Sequence, residues 1–303
     1  MTLAPIIVFA YDRPEHLRRT LENLAKNDKA QESVLFIYCD GAKPNASEEQ
    51  QLRIAKSREV AHAAIGFKEV HVVEREHNVG LKDNIVGAVT EIVNQFGRVI
   101  TLEDDVVSSV GFLRYMNDAL ELYTEAERVM HVSAYMYPHK CRLPKTFFYP
   151  VPYPGGGWAT WKRAWDCYND NSRELYDYWK DNWGMFDAFG GDYLSKQLKM
   201  NVDGTMNTWF IKWYAVVMQK GGLTLYPGSS LTNNIGFDEM ATNCYSTNKF
   251  DVVPVDYVKV EQSPLVVNKK ASRVIYDFYQ GHWYNRGRRR KLLSDVKKKL
   301  HLS

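Results

Sequence analysis

The sequence predicts an α/β fold in which a mainly parallel central sheet carries helices on both faces and is followed by a loop-rich, helical C-terminal part. Three observations lead to this prediction. Short, continuous apolar runs, typical of strands buried on both faces, recur in the first half of the chain. Segments with apolar residues at helical spacing separate these runs, which indicates a parallel sheet. The second half is instead rich in tryptophan, tyrosine and glycine.

Four strands are expected in the first half, with a helix after each of the first three. The strands cover residues 5–11, 34–40, 69–75 and 98–103. After the first strand, Leu17, Leu21 and Leu24 recur at helical spacing, and Pro14 suits the first turn of a helix. This part of the chain therefore predicts a strand–helix–strand unit.

The second and third helices also have clear sequence signals. Ser47 is followed three residues later by Gln50, a capping-box arrangement for a helix that we expect to reach Ile65. The helix before the fourth strand is expected to bury five apolar side chains: Ile85, Val89, Ile92, Val93 and Phe96. The second half has fewer clean periodicities, so we expect irregular loops and short helices there.

Composition fits a globular protein. Hydrophobic residues make up 45% of the chain and charged residues 25%, which excludes disorder for most of it, and no apolar run is long enough to span a membrane. The 4 cysteines are widely spaced without a CxxC pair, which argues against a zinc knuckle and favours a reducing compartment.

The start of the chain bears on its cellular location. The first residues lack the basic start of a secretory signal. We therefore expect a cytoplasmic location.

We expect one continuous domain over residues 1–273 and a basic, amphipathic helical tail over 274–303. Residues 1–107 form the half with the four predicted strands, and residues 108–273 form the second half. In the tail, basic residues surround one apolar helical face, so we expect residues 286–300 to associate peripherally with an anionic inner membrane surface. A solvated basic end or a nucleic-acid contact is the alternative. No other basic stretch extends a nucleic-acid footprint, so no nucleic-acid partner is expected.

Three consecutive acids, residues 103–105, follow the fourth strand. Ligands of open parallel sheets bind beyond the carboxyl ends of the strands, so the acids are expected in a cleft. A divalent cation bound together with phosphate oxygens would offset the repulsion between them. The alternative is a solvated acidic turn or the start of a helix.

Polar residues also follow the first three strands. Arg13 suits a diphosphate or a base, and Asp40 can accept hydrogen bonds from a uracil or a ribose, although a simple turn also explains Asp40. Gly80 would let the backbone of the third loop approach a ligand, with Lys82 nearby; a solvated loop is the alternative.

Two segments of the second half suggest further ligand contacts. In "PGGGWATWKRAW", Gly157 offers a flexible backbone near a sugar and Trp158 a stacking wall; alternatively, Trp158, Trp161 and Trp165 are core residues at helical spacing. Farther along, an apolar strand, a Pro-Gly turn and a long polar segment suggest a lid over a bound nucleotide, or simply a surface loop.

Taken in order, these segments resemble glycosyltransferases of the GT-A fold. The resemblance is to the inverting N-acetylglucosaminyltransferases that begin complex N-glycans and to their bacterial glycosyltransferase relatives. It covers residues 5–244 and depends on "PIIVFAYDRPEHLRRTLENL", "LFIYCDG", "TLEDDVVSSVGFLRYM", "GGGWATWKRAW" and "YPGSSLTNNIGF". It implies a metal-dependent inverting transfer of a sugar, GlcNAc or a related hexose, from a UDP-sugar to a hydroxyl of a glycan or lipid-linked glycan. The implied cofactor is Mn²⁺ or Mg²⁺. The resemblance also implies that residues 1–107 are the nucleotide-binding half and residues 108–273 the acceptor and lid half.

The resemblance also implies roles for individual residues. Arg13 and Asp40 would contact the nucleotide, with Asp40 at the uracil. Glu103 would hold the ribose, Asp104 would face the donor sugar, and Asp105 would ligate the metal.

Further positions match other parts of the implied donor site. Lys82 is a looser match in the loop after the third strand, and Gly157 and Trp158 belong to the expected sugar-binding segment. Residues 234–243 would order over the donor, with Asn234, Gly236 and Phe237 as lid residues.

One position departs from the family pattern. Asn207 and Thr208 precede Trp209 where the family places acids, one of them the catalytic base, and an amide cannot take a proton at neutral pH. The sequence leaves Asp192, Asp203 and Asp238 as candidates for the base. Otherwise the protein is a non-catalytic or inactivated UDP-sugar-binding protein. A sugar nucleotidyltransferase is disfavoured because the first loop lacks the glycines of that class.

Overall fold

The structure, a computed structural model, describes residues 2–237 and 249–283. Three sequence-based predictions fall outside these residues and are not tested by them. They are the candidate base Asp238, the later part of the expected lid, residues 238–243, and the basic stretch 286–300.

The described residues contain ten strands and ten α-helices. The strands are β1 Ile6–Ala10, β2 Val34–Cys39, β3 Glu69–Glu74, β4 Arg98–Glu103, β5 Val106–Ser108, β6 Val129–Ser133, β7 Thr146–Tyr149, β8 Trp158–Trp161, β9 Leu223–Pro227 and β10 Thr232–Asn234. The helices are α1 Pro14–Ala25, α2 Glu48–His62, α3 Leu81–Phe96, α4 Phe112–Leu122, α5 Lys162–Trp165, α6 Ser172–Trp179, α7 Trp183–Phe186, α8 Tyr193–Asp203, α9 Trp209–Gln219 and α10 Lys269–Trp283.

Eight strands form one sheet in the order β3-β2-β1-β4-β8-β6-β9-β7. The pairs among β1 to β4, and the pair β6–β9, are parallel, whereas β8 and β7 run against their neighbours. Six of the eight strands therefore share one direction, which confirms the predicted mainly parallel sheet. Strands β5 and β10 form a separate antiparallel ribbon.

Helices cover both faces of this sheet, as predicted. Ile7 of β1 packs with buried residues of α3 and α9 on one face. Ile6 and Val8 pack with those of α1 and α4 on the other face. Because side chains alternate along a strand, β1 is buried on both sides, which explains its continuous apolar sequence.

The predicted helices of the first half are present, with two corrections at their ends. Ser47 caps α2, and its Oγ accepts a hydrogen bond of 3.2 Å from the Gln50 amide. The helix ends at His62, however, and Ile65 is 82% exposed. Phe96, expected in the core, is 41% exposed because it is the last residue of α3, at the rim of the sheet. Its ring packs edge-on against Phe36, 6.0 Å away.

The second half is more regular than the sequence suggested, since it supplies four strands of the main sheet. Trp158, Trp161 and Trp165 are each 3% exposed, so their assignment to the core is confirmed. The expectation that they lie on one helix is wrong, because Trp158 and Trp161 are the first and last residues of strand β8. Their side chains consequently enter the cores on opposite faces of the sheet.

The last described helix, α10, crosses the predicted domain boundary at residue 273. Ala271 and Ile275 are buried in the core, and the Tyr279 hydroxyl lies 2.6 Å from the Tyr137 hydroxyl. The first part of the predicted tail is thus packed against the domain. Within the described residues, no helix combines the length and the apolarity needed to cross a bilayer.

Candidate active site

The carboxyl ends of β1, β2 and β4 lie side by side at one edge of the sheet. Ala10 pairs with Cys39 across β1 and β2, and Phe9 pairs with Glu103 across β1 and β4. The residues that directly follow these strands are therefore brought to the same edge. Arg13, Asp40 and the acids 103–105 meet there, as the sequence predicted.

Asp105 is the centre of this arrangement. Its Oδ2 accepts a hydrogen bond of 3.1 Å from Nη1 of Arg13, and its Oδ1 one of 3.1 Å from Nδ2 of Asn234. The backbone amide of Ile235 donates to the Asp105 carbonyl at 2.8 Å. The side chains of Arg13 and Asp105 are 11% and 13% exposed. The β5–β10 ribbon thus holds the start of the expected lid against the acids.

Gly236 covers the Asp105 carboxylate so closely that no side chain fits. A Cβ atom at this position would lie 1.9 Å from Oδ2 of Asp105 and 2.9 Å from Nη1 of Arg13. The Gly236 amide donates to the Asn234 side chain at 2.8 Å. The next residue, Phe237, stacks on Phe250 at 5.0 Å. The backbone of residues 234–236 is therefore fixed directly over the carboxylate.

The three acids have few compensating groups. Burial raises the pKa of the Glu103 and Asp104 carboxyls well above the usual range, and the nearby Asp105 charge raises both further. Burial likewise raises the pKa of Asp105, and the Arg13 guanidinium opposes the increase. The Tyr11 amide lies 3.4 Å from Oδ2 of Asp104. Such an excess of buried negative charge is unfavourable unless positive charge binds beside it.

A divalent cation fits this donor set, because it would supply that positive charge to carboxylate oxygens. Among the described residues, no group of three or more His, Cys, Asp or Glu side chains has the arrangement of a metal site. A cation beside Asp105 would bind carboxylate oxygens together with oxygens of another molecule.

Asp40 lies at the same edge, but its carboxylate is engaged within the protein. Oδ1 accepts hydrogen bonds from the amides of Gly41 and Val79, at 2.8 and 2.9 Å. Oδ2 accepts from Nδ2 of Asn78 and from the Gly80 amide, at 2.9 and 3.0 Å. These four donors use the acceptor capacity of an ionised carboxylate. Asp40 thus fastens the loop after β3 to the end of β2 and is not left open to a base.

Lys82 is held in a second cluster of charges, centred on Asp170. Nζ of Lys82 lies 2.7 Å from Oδ2 of Asp170 and 2.7 Å from Oδ1 of Asp83. Nζ of Lys212 lies 2.8 Å from Oδ1 of Asp170 and 3.4 Å from Oδ1 of Asn207. The first turns of α3 and α9 therefore meet at one carboxylate.

Sequence reasoning missed Asp170 and Lys212. Asp170 lies in an irregular segment without a motif. Lys212 did carry a usable signal, since it is the single charged residue in the apolar sequence "WFIKWYAVVM" of α9. A lysine in such a helix is expected to be buried with a partner.

The two described candidates for the base, Asp192 and Asp203, lie at opposite ends of α8. Oδ2 of Asp192 pairs with Nζ of Lys196 at 2.7 Å on the exposed surface. Oδ1 of Asp203 accepts from the hydroxyl and the amide of Thr205, at 2.6 and 2.9 Å. Helix α8 has 11 residues, so its ends are about 15 Å apart. Both carboxylates therefore serve local contacts on different parts of the surface.

Trp158 lies in the aromatic core. Its indole stacks on the His131 ring and on the Trp209 indole, each at 5.1 Å between ring centroids. With 3% of its surface exposed, it offers no open wall for a sugar. Gly157 has φ +75°, which favours glycine, and a Cβ there would lie 3.2 Å from the Phe112 ring.

These contacts form one chain of packed residues, here called the rim, that starts at the carboxyl edge of the sheet and passes through the buried pair Trp158 and Trp209. The β5–β10 ribbon is tied to the loop before β8 by the hydrogen bond of 3.0 Å from Asn234 to the Gly155 carbonyl. The stacking of Trp158 on Trp209 joins β8 to the start of α9. Asp170 then joins α9 to α3, and Asp40 joins the residues before α3 to β2. The acids 103–105 and Asp170 belong to the same rim.

Comparison with known proteins gives partial likenesses. No protein-family model matches the chain. The structure of S. aureus TarS matches with TM-score 0.30 and 16% identity over 47% of this chain and 23% of TarS. An active-site mutant of LgtC matches with TM-score 0.36 and 15% identity over 58% of this chain and 65% of LgtC. The galactosyltransferase LgtC with donor and acceptor sugar analogues gives TM-score 0.34 and 14% identity over the same shares. This chain spans less than two thirds of each of these proteins.

Proposed function

We propose that this protein is a metal-dependent glycosyltransferase of the GT-A type that moves a sugar from a UDP-sugar to a hydroxyl group of an acceptor. The observation that carries the proposal is the group of three partly buried acids, which has Arg13 against Asp105 and lies beneath the backbone of residues 234–236. Carboxylates that lack compensating charge at the carboxyl edge of a parallel sheet suit a cation with a diphosphate. The motifs that resemble glycosyltransferases run through the same residues.

Asp105 would hold the cation, Mn²⁺ or Mg²⁺, together with diphosphate oxygens. The bound metal would neutralise negative charge on the departing UDP. Arg13 already lies against Asp105 and would place a second positive charge near the diphosphate. Asn234 holds the other carboxylate oxygen in place. These two contacts would orient Asp105 as a metal ligand from two sides.

Glu103 and Asp104 would accept hydrogen bonds from hydroxyl groups of the donor, Glu103 from the ribose and Asp104 from the transferred sugar. Ionised carboxylates are strong acceptors for such groups. Asp40 would act indirectly, by fixing the loop of residues 78–80 that borders the site. Gly236 would bring its backbone against the donor, because it already covers Asp105 without a side chain.

The acceptor would be a glycan or a lipid-linked saccharide. The basic sequence 286–300 supports the lipid-linked class, because it would place the domain at an anionic membrane surface where such acceptors are found. A GlcNAc or related hexose is the transferred sugar that the sequence resemblance suggests.

A second candidate function is UDP-sugar binding without transfer. Asn207 favours it, because an amide stands where the resemblance predicts a base, and its Oδ1 accepts from Lys212. This alternative predicts UDP binding that depends on metal, with no turnover of any donor.

The test is calorimetric titration of UDP into the protein, with Mn²⁺ and with EDTA. We expect binding with Mn²⁺ that EDTA abolishes, and a loss of about 100-fold or more in affinity for Asp105→Asn, because a metal ligand is removed. Asp177→Asn is the matched control, since Asp177 is exposed and pairs only locally with Lys180. UDP binding that ignores both EDTA and the change at Asp105 contradicts the proposal. Release of UDP from a panel of UDP-sugars then separates transfer from binding alone.

A further inference from the structure

Asp170 is a carboxylate of the rim that lies outside the acid triplet. Its Oδ1 accepts hydrogen bonds from Nζ of Lys212 at 2.8 Å and from the Tyr168 hydroxyl at 3.2 Å. Its Oδ2 accepts from Nζ of Lys82 at 2.7 Å. The side chain is 49% exposed, so it faces solvent while three donors fix its orientation.

Lys212 connects this carboxylate to the position where a base was expected. The lysine is 4% exposed and lies among apolar residues of α9. Its ammonium group also reaches Oδ1 of Asn207, at 3.4 Å. Asp170 and Asn207 therefore lie on the same buried ammonium group. A buried charge of this kind is costly without a partner, which explains why Asp170 is held so closely.

The electrostatic state of Asp170 is opposite to that of the triplet. Burial alone would raise the pKa of its carboxyl, but the hydrogen bonds from Lys212 and Lys82 outweigh this, and the pKa is lowered. The group is therefore ionised at neutral pH and free to take a proton, although the lowered pKa makes it a weaker base than an ordinary carboxylate. Its partner Lys82 remains cationic, since the hydrogen bonds to Asp170 and Asp83 outweigh burial and raise the pKa of Lys82.

We propose that Asp170 is the base that takes the proton of the acceptor hydroxyl, with Lys82 and Lys212 as positioning residues. This inference rests on the proposed function. As the hydroxyl O–H bond breaks, its proton passes to a carboxylate oxygen of Asp170. The acceptor oxygen forms a bond to the anomeric carbon of the donor sugar. The bond from that carbon to the diphosphate breaks, and its electron pair leaves with UDP.

A purely structural account is the competing explanation, since Asp170 also joins α3 to α9. Activity of Asp170→Asn and Asp170→Glu, measured as UDP release from UDP-sugars, separates the two. We expect kcat to fall about 10²- to 10⁴-fold in Asp170→Asn, with UDP affinity unchanged in Mn²⁺. Asp170→Glu should retain part of the activity. Asp166→Asn is the control, because Asp166 is an exposed acid nearby in sequence that pairs with Lys162.

Two further variants keep the test decisive if Asp170→Asn folds poorly. In Lys212→Met, the acidic limb of the plot of kcat against pH should move to higher pH, because a donor that lowers the pKa of Asp170 is gone. Adding Asn207→Asp to Asp170→Asn should restore part of kcat, since it places a carboxylate on the other side of Lys212. A structural clamp predicts neither result.

The outcomes also separate this inference from the proposed function. Folded Asp170→Asn with kcat within about threefold of wild type overturns the role of Asp170 and leaves the transferase proposal standing. Wild-type protein that binds UDP yet releases it from no UDP-sugar overturns Asp170 as a base and favours the binding protein. Failure of UDP to bind in Mn²⁺ overturns the proposed function itself.

Discussion

Two sets of carboxylates on one rim have opposite surroundings. The acids 103–105 lie largely buried with Arg13 beside them, and their pKa values are raised, first by burial. Asp170 is half exposed between two ammonium groups, and its pKa is lowered. Under the two proposals, the same functional group would bind a cation in one place and accept a proton in the other. The surroundings of each carboxylate, and not its residue type, would distinguish these two roles.

The two sets also depend on different supports. Asp105 is held by the ends of β1 and β4 and by the β5–β10 ribbon, through Arg13 and Asn234. Asp170 is held by the first turns of α3 and α9, through Lys82 and Lys212. A change in one support should therefore disturb one function and spare the other, and this expectation can be tested.

The largest effect is expected for Gly236→Ala. The new methyl group would lie 1.9 Å from Oδ2 of Asp105 in the present backbone, so either the loop or the carboxylate must move. Displacement of a reacting group by about 1 Å costs on the order of 100-fold in rate. We expect a loss of that size in both UDP release and UDP affinity.

Gly87→Ala is the matched control for this prediction. Gly87 lies within α3, and a Cβ there meets nothing within 4 Å. Activity should stay at the wild-type level, and stability should rise by about 0.5–1 kcal/mol because alanine favours a helix. Full activity in Gly236→Ala would show that the backbone of residues 234–236 is not held over Asp105 in solution.

The next prediction concerns stability against pH in EDTA. Because the pKa values of Glu103 and Asp104 are raised on folding, the folded protein binds more protons than the unfolded chain above pH 4. The free energy of unfolding should therefore fall as pH rises from 5 to 8, by on the order of 1 kcal/mol per pH unit. Denaturant titrations at several pH values measure this slope.

Asp170 should contribute with the opposite sign. Its pKa is lowered on folding, so its stabilising effect is present above the ordinary carboxyl range and is lost as pH falls below about 4.

The variant Asp104→Asn tests the prediction for the acid triplet. It should flatten the dependence of the free energy of unfolding on pH between pH 5 and 8, whereas the control Asp177→Asn should not. An unchanged slope in Asp104→Asn would show that the triplet does not carry excess buried charge.

A smaller effect is expected for Asn234→Asp. The change removes the amide that donates to Asp105 and to the Gly155 carbonyl, and it adds a fourth negative charge. We expect a loss of about 1–3 kcal/mol in EDTA, partly recovered with Mn²⁺ and UDP. In the adjacent control Asn233→Asp, the oxygen that accepts from the Val252 amide is kept, so little change is expected. Equal losses in the two variants would remove Asn234 from the support of Asp105.

The sequence predicted the acids 103–105 and their position better than it predicted Asp170 and its partners. Strand β4 has a continuous apolar pattern that ends at Glu103, and the position of acids at a strand end follows from parallel topology alone. Asn234 and Gly236 were identified through the resemblance of the segment "YPGSSLTNNIGF" to glycosyltransferases. These signals are local or depend on one topological rule.

Asp170 could not be found in the same way. Its partners Lys82 and Lys212 are 88 and 42 positions away along the chain, and they meet only because α3 packs against α9. The strands β6, β7 and β8 were missed because they have only 5, 4 and 4 residues, too few to show a clear period. Such contacts arise from tertiary packing, for which the sequence carries no periodic signal.

The smallest effect tests whether Asp170 and Lys212 act as a pair. We expect the double-mutant cycle of Asp170→Asn and Lys212→Met to give a coupling of about 0.5–1 kcal/mol in the free energy of unfolding, because Asp170 is half exposed and solvent screens the interaction. The cycle of Lys162→Met and Asp166→Asn is the control. That pair is exposed on both sides, so its coupling should be about 0.3–0.5 kcal/mol. A coupling for Asp170 and Lys212 no larger than the control would mean that the buried ammonium group is stabilised mainly by other contacts. Lys212 would then have no basis for orienting the proposed base.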